Sequence, residues 1–88
     1  MSSYFLDLRE ALVRNKHSRS SHYKSILLGL YPPPVHIGRS ARWIEHEDEA
    51  VRLARIAGRS EGEIRQLVRA LVAARQTDYE NAVAPEGP

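Results

Sequence analysis

Leu8, Ala11 and Leu12 are the first apolar positions to recur at helical spacing, and the polar residues around them mark a helix start. Asp7 can accept from the orphan amides of a first turn, and Glu10, three residues on, completes a capping-box pattern. The polar run Asn15-Lys16-His17-Ser18 then predicts that this helix ends near Val13 or Arg14. Ser18 is a good N-cap for a second helix over Arg19–Leu28, with Tyr23, Ile26 and Leu27 as its apolar contacts. Gly29 stands where a left-handed residue closes a helix. Two short helices joined by a tight polar turn form a helix-turn-helix pattern.

The pattern then changes. Pro32-Pro33-Pro34 forbids helix and holds the backbone extended, which makes it a rigid spacer. Val35-His36-Ile37 alternates as a strand does, Gly38-Arg39-Ser40 is turn material, and Ala41-Arg42-Trp43 returns as a second strand. From Ile44 the chain reads as helix again. Glu45, Glu47, Asp48 and Glu49 crowd its first turns, where the macrodipole favours acids, and Gly58 ends it. Ser60-Glu61-Gly62-Glu63 is a second capping box. Behind it Ile64, Leu67, Val68, Leu71 and Val72 form an apolar stripe that carries the last helix to about Arg75. Residues 76–88 lack periodicity and read as a frayed tail.

Composition narrows what such a chain can do. Its 88 residues allow one small domain, whose modest core leaves little room for an enclosed active-site cleft. The absence of Cys removes disulfides, thiolate zinc clusters and cysteine nucleophiles. Charge is divided unevenly. Residues 1–43 carry seven Lys and Arg against two acids, whereas residues 44–88 carry six Arg against nine acids. A basic half joined to an acidic half is consistent with one surface that faces a polyanion and another that stays solvated or meets a protein, and equally with the uneven charge that small proteins often carry for no functional reason. His17 and His22 are five apart, off a common helix face, and there is no His-x-x-x-His pair, so neither metal nor cofactor is expected. No spacing unites a nucleophile, a base and an orienting group, so the expectation is not an enzyme. Without a basic leader or an apolar run of membrane-spanning length, the chain reads as soluble and cytoplasmic.

In this order of elements, several stretches resemble a known family. Ser18-Arg19-Ser20-Ser21-His22-Tyr23-Lys24, Ile26 with Gly29-Leu30, and Pro32-Pro33-Pro34-Val35 followed by Ile37-Gly38 resemble the AlpA-type phage regulators. Arg39, Ala41, Trp43 and Glu47 then look like that family's wing and next helix start. Ala54-Arg55-Ile56-Ala57-Gly58, Ile64-Arg65, Leu67-Val68 and Ala73-Ala74-Arg75 extend the likeness, which covers roughly residues 5–75. Five positions depart from it: Arg42 in place of Gly, Ile44 in place of Pro, polar residues replaced by Leu27 and Leu28, and His17 in place of Leu.

The resemblance implies a mainly α, small winged helix-turn-helix fold, shared with excisionases and the DNA-binding part of MerR proteins, with a two-stranded wing and a C-terminal helical extension. Residues 1–58 would form the DNA-binding domain and 59–75 a helix packing on it or mediating association, ahead of the tail. The second helix would enter the major groove, with Ser18, Arg19, Ser20, Ser21, His22, Tyr23 and Lys24 at the interface. Arg39, Ser40 and Arg42 would supply the wing's contacts, Arg39 and Arg42 bracketing a two-residue tip. Tyr23 could instead lie in the core, and Trp43 belongs there. Leu27, Leu28, Ile64, Leu67, Val68 and Leu71 are candidates for association, although a return of the last helix onto its neighbour explains its stripe at least as well.

The expected function is sequence-specific binding of double-stranded DNA. By resemblance this serves a prophage or mobile element, as a transcriptional regulator or as a recombination directionality factor that bends DNA with cooperative self-association on repeated sites. The alternative is a protein-interaction module whose acidic C-terminal helices bind an integrase or an RNA polymerase subunit.

Overall fold

Helices dominate the computed structural model, which describes residues 4–84. The elements in order are β1 (Phe5–Leu6), α1 (Leu8–Asn15), α2 (Arg19–Leu27), β2 (Val35–Ile37), β3 (Ser40–Ile44), α3 (Glu45–Ile56) and α4 (Glu61–Val83). The strands form one antiparallel sheet in the order β1-β3-β2. Among the described residues no helix is long and apolar enough to cross a membrane.

Local chemistry sets the helix starts. The Asp7 carboxylate accepts from the Glu10 amide at 2.8 Å, while the Glu10 carboxylate accepts from the Asp7 amide at 3.0 Å. α1 runs on to Asn15 and closes through Lys16 in the left-handed region at φ 55°. Ser18 caps α2 by accepting from the Ser21 amide at 3.2 Å, and Gly29 leaves that helix at φ 75°. Ser60 and Glu63 complete the second box at the start of α4.

Two departures from the sequence expectation follow from reach along the chain. β1 owes its strand geometry to distant partners, Phe5 opposite Ile44 and Leu6 opposite Trp43. α4 continues eight residues beyond Arg75, so the expected tail is helix as far as Val83, and 85–88 lie outside the described residues. Once a helix is nucleated each added residue costs little, and no breaker occurs before Pro85.

The core gathers Leu6, Ala11, Leu30, Tyr31, Trp43, Val51, Ile64 and Val68, so every helix except α2 gives it an apolar residue that is fully buried. α2 contributes His22 and the partly buried Ile26. Ile64 and Val68 are 3 % and 5 % exposed, and Leu67 and Leu71 pack against the same cluster. The stripe on α4 is thus mainly a core face. Ile64 and Val68 are withdrawn from the association candidates, while Leu27 and Leu28 remain exposed.

Polar groups pin α3 to its neighbours. Asp48 is buried, accepts from the Tyr31 hydroxyl at 2.8 Å and the Asn15 amide at 2.7 Å, and pairs with Arg52 at 3.2 Å. Burial, then the Asp48 charge, pushes the Tyr31 phenol far up, so it stays a donor. Glu47, also buried, receives both arms of the Arg75 guanidinium at 2.8 and 2.5 Å. These acids therefore do more than complement a helix dipole: they are the joints by which α1, the proline spacer and α4 close on α3.

Candidate nucleic-acid interface

The exposed side of α2 is polar and basic. Arg19, Ser20, Tyr23, Lys24 and Leu27 share it, with Tyr23 42 % exposed and edge-on to Trp43 at 6.3 Å. Ser18 and Ser21 are also exposed, but their hydroxyls bond each other at 3.0 Å as part of the cap. His22 corrects the sequence expectation. It lies fully buried on the opposite side of the helix, edge-on to Trp43 at 4.7 Å and to Tyr31 at 4.9 Å. Four residues before Ile26, it shares that residue's core-facing side, and this spacing was the available signal.

Burial in the aromatic cluster lowers the His22 pKa below its ordinary 6.5, helped by His17 and opposed by Asp48. The unfolded chain therefore binds this proton more readily than the folded one does. The stabilising contribution is complete above about pH 6.5 and is lost as the pH falls towards the depressed folded value. Thermal unfolding from pH 7.5 to 5 should show the parent losing stability more steeply than His22→Leu, which has no proton to take up there. Parallel profiles would refute this account.

The β2–β3 hairpin differs in register from its expected form. Val35 pairs with Arg42, His36 with Ala41 and Ile37 with Ser40, leaving Gly38-Arg39 as a two-residue turn. Gly38 takes φ 63° at the first turn position, where a tight hairpin accepts glycine. Arg39 therefore sits at the tip and Ser40 just behind it. Arg42, expected to flank the tip, lies instead inside the ladder and donates to the Ala41 carbonyl at 2.9 Å.

That placement serves a different geometry. Arg42 lines an open groove of about 600 Å³ together with Arg19 of α2 and Arg9 of α1, over a floor that includes Leu12 and Trp43. Three guanidiniums from three elements thus surround one concavity, and none is in an ion pair. Asp7 also lines it, with its carboxylate engaged in the α1 cap. Sequence reasoning passed over Arg9, which joins Arg19 and Arg42 only after folding.

The rest of the molecule treats charge differently. Arg52 pairs with Asp48 and Glu49, Arg59 with Glu63 at 3.5 Å, Arg65 with Glu61 at 3.7 Å and Arg75 with Glu47. Among the described residues, the Lys and Arg without an acidic partner are Arg9, Lys16, Arg19, Lys24, Arg39, Arg42, Arg55 and Arg69. Arg55 donates instead to the Leu30 carbonyl at 3.2 Å. Six of those eight lie in residues 9–42. Also among the described residues, no three of His, Cys, Asp and Glu come together as a metal site. Comparison with protein-family models, curated proteins and solved structures finds no match to this chain.

Proposed function

We propose that the chain is a small winged helix-turn-helix protein that binds double-stranded DNA, with α2 in the major groove and the β2–β3 hairpin on the adjoining backbone. The observation that carries this reading is the sorting of cations. The arginines of α3 and α4 are largely spent on acids and on carbonyls of other elements, while Arg9, Arg19, Arg39 and Arg42 have no acidic partner and gather around one groove and one hairpin, Arg42 bonding only the carbonyl of its own neighbour Ala41. Arg19 and Lys24 flank exposed groups suited to base edges, and Arg9 and Arg42 are placed to hold a backbone phosphate beside them. The resemblance of roughly residues 5–75 to AlpA-type regulators supports a role at a prophage or mobile element, as transcriptional regulator or excision factor. The proposed activity needs no catalysis and no cofactor, and it places the protein in the cytoplasm.

The acidic-partner reading has less to stand on. Glu45 pairs with Arg14 at 2.8 Å, and Glu47, Asp48, Glu49, Glu61 and Glu63 each face an arginine. Few acids remain for an integrase or polymerase surface.

Duplex binding measured against salt tests the proposal. The parent should lose affinity steeply as salt rises, with a slope shallower by about 0.9 for each phosphate contact removed in Arg9→Ala and Arg42→Ala. Arg19→Ala should cost about 1–3 kcal/mol on the preferred site and relax specificity at one base pair. Binding that is insensitive to salt would reject DNA as the partner.

A further inference from the structure

Leu27 is 87 % exposed, and nothing in the fold uses its side chain. A lone exposed leucine needs no explanation on an ordinary surface. Its position is what matters here. With about 100° per residue, Arg19 and Lys24 lie roughly 140° apart around α2, and Leu27 projects between them, about 80° from one and 60° from the other. Ser20 and Tyr23 fill the same sector, while His22 and Ile26 occupy the buried side. An apolar group thus stands at the C-terminal end of a face otherwise made of cations and hydroxyls, about one turn beyond Lys24. The end of the helix that carries it is braced, because Arg65 Nε donates to the Leu28 carbonyl at 2.8 Å and Gly29 turns the chain away.

On the DNA-binding reading above, on which this inference rests, that face meets base edges in the major groove. Most recognition features there are hydrogen-bond donors and acceptors, and the apolar feature is the 5-methyl group of thymine. We infer that Leu27 reads thymine through that methyl, so that the bound site carries an A·T pair beside the positions met by Arg19 and Lys24. Leucine at position 27 is then a specificity element. It offers no hydrogen bond, and it gains by burial only where a methyl group faces it.

The test begins with duplexes selected from a random library by the 88-residue chain. In the preferred sequence each thymine is replaced in turn by deoxyuridine, which keeps pairing and groove acceptors and removes only the methyl. At one position the parent should lose about 4-fold in affinity, the worth of one buried methyl-sized group. Leu27→Ala should lose a similar factor on the thymine duplex and nothing further on the uracil duplex. Being so exposed, the position tolerates alanine without cost to folding, which circular dichroism verifies. The inference is overturned if every uracil duplex binds as tightly as its parent, or if Leu27→Ala keeps the methyl dependence. Loss of self-association in Leu27→Ala, with methyl dependence retained, would reassign the side chain to contact between copies. If no duplex is enriched at all, the DNA reading falls and takes this inference with it.

Discussion

Arg75→Ala should destabilise the protein by about 3–5 kcal/mol, the cost of removing one partner from a buried ion pair. The substitution leaves Glu47, 1 % exposed, without the two guanidinium bonds that it accepts, and it also removes a bond to the Pro33 carbonyl at 2.9 Å. At roughly 4–8 °C of Tm per kcal/mol for a domain of this size, the melting point should fall by well over 10 °C. The penalty belongs to a stranded charge, so it should be recoverable without restoring the charge pair. Arg75→Met combined with Glu47→Met, which fills the space with apolar chains, should regain much of the loss. A double variant no more stable than Arg75→Ala would place the cost in packing instead.

Trp43→Ala should cost a similar amount, about 3–5 kcal/mol, by emptying the largest buried side chain. Its consequences extend further than stability. Trp43 stands on β3, opposite Leu6 of β1, and its ring meets His22 and Tyr23 of α2, so it fixes α2 relative to the hairpin. DNA affinity should therefore fall by more than the unfolded fraction accounts for, measured at a temperature where circular dichroism still shows native helix. Trp43→Phe, which keeps an aromatic in the cluster, should restore most of both properties. Affinity that simply tracks the folded population would show that the ring fills space without setting the angle.

Features that depend on four neighbouring residues were legible in the sequence. Both capping boxes, the Ser18 cap, the glycine exits and the hairpin fall into this class, because their donors and acceptors lie within one turn of each other. The placement of Trp43 in the core was legible as well, since it adjoins the next apolar helix. What stayed hidden depends on contacts across the fold. β1 is two residues long and is a strand only because Ile44 and Trp43 come back beside it. His22 was read by its polarity, yet its spacing from Ile26 places it inside. Glu47 and Asp48 look like dipole-complementing acids until Arg75, Tyr31 and Asn15 arrive from 17 to 33 positions away. The site divides in the same way. The exposed face of α2 could be read from helical spacing, whereas Arg9 enters only through a groove assembled from three elements, and Arg42 moved off the tip because the turn is one residue shorter than expected.

The linker between α2 and the hairpin shows one more property of this molecule. Its carbonyls at Leu28, Leu30 and Pro33 are met by Arg65, Arg55 and Arg75 respectively, each supplied from 25 to 42 positions further along the chain. On the ribosome, a nascent chain that has emerged only as far as residue 58 holds the whole of α2 and the hairpin. It lacks two of those three guanidiniums, as well as the partner for Glu47. The half that would face DNA is made first and braced last. Synthesis of α4, more than that of the basic half, completes the set of bonds that brace this linker.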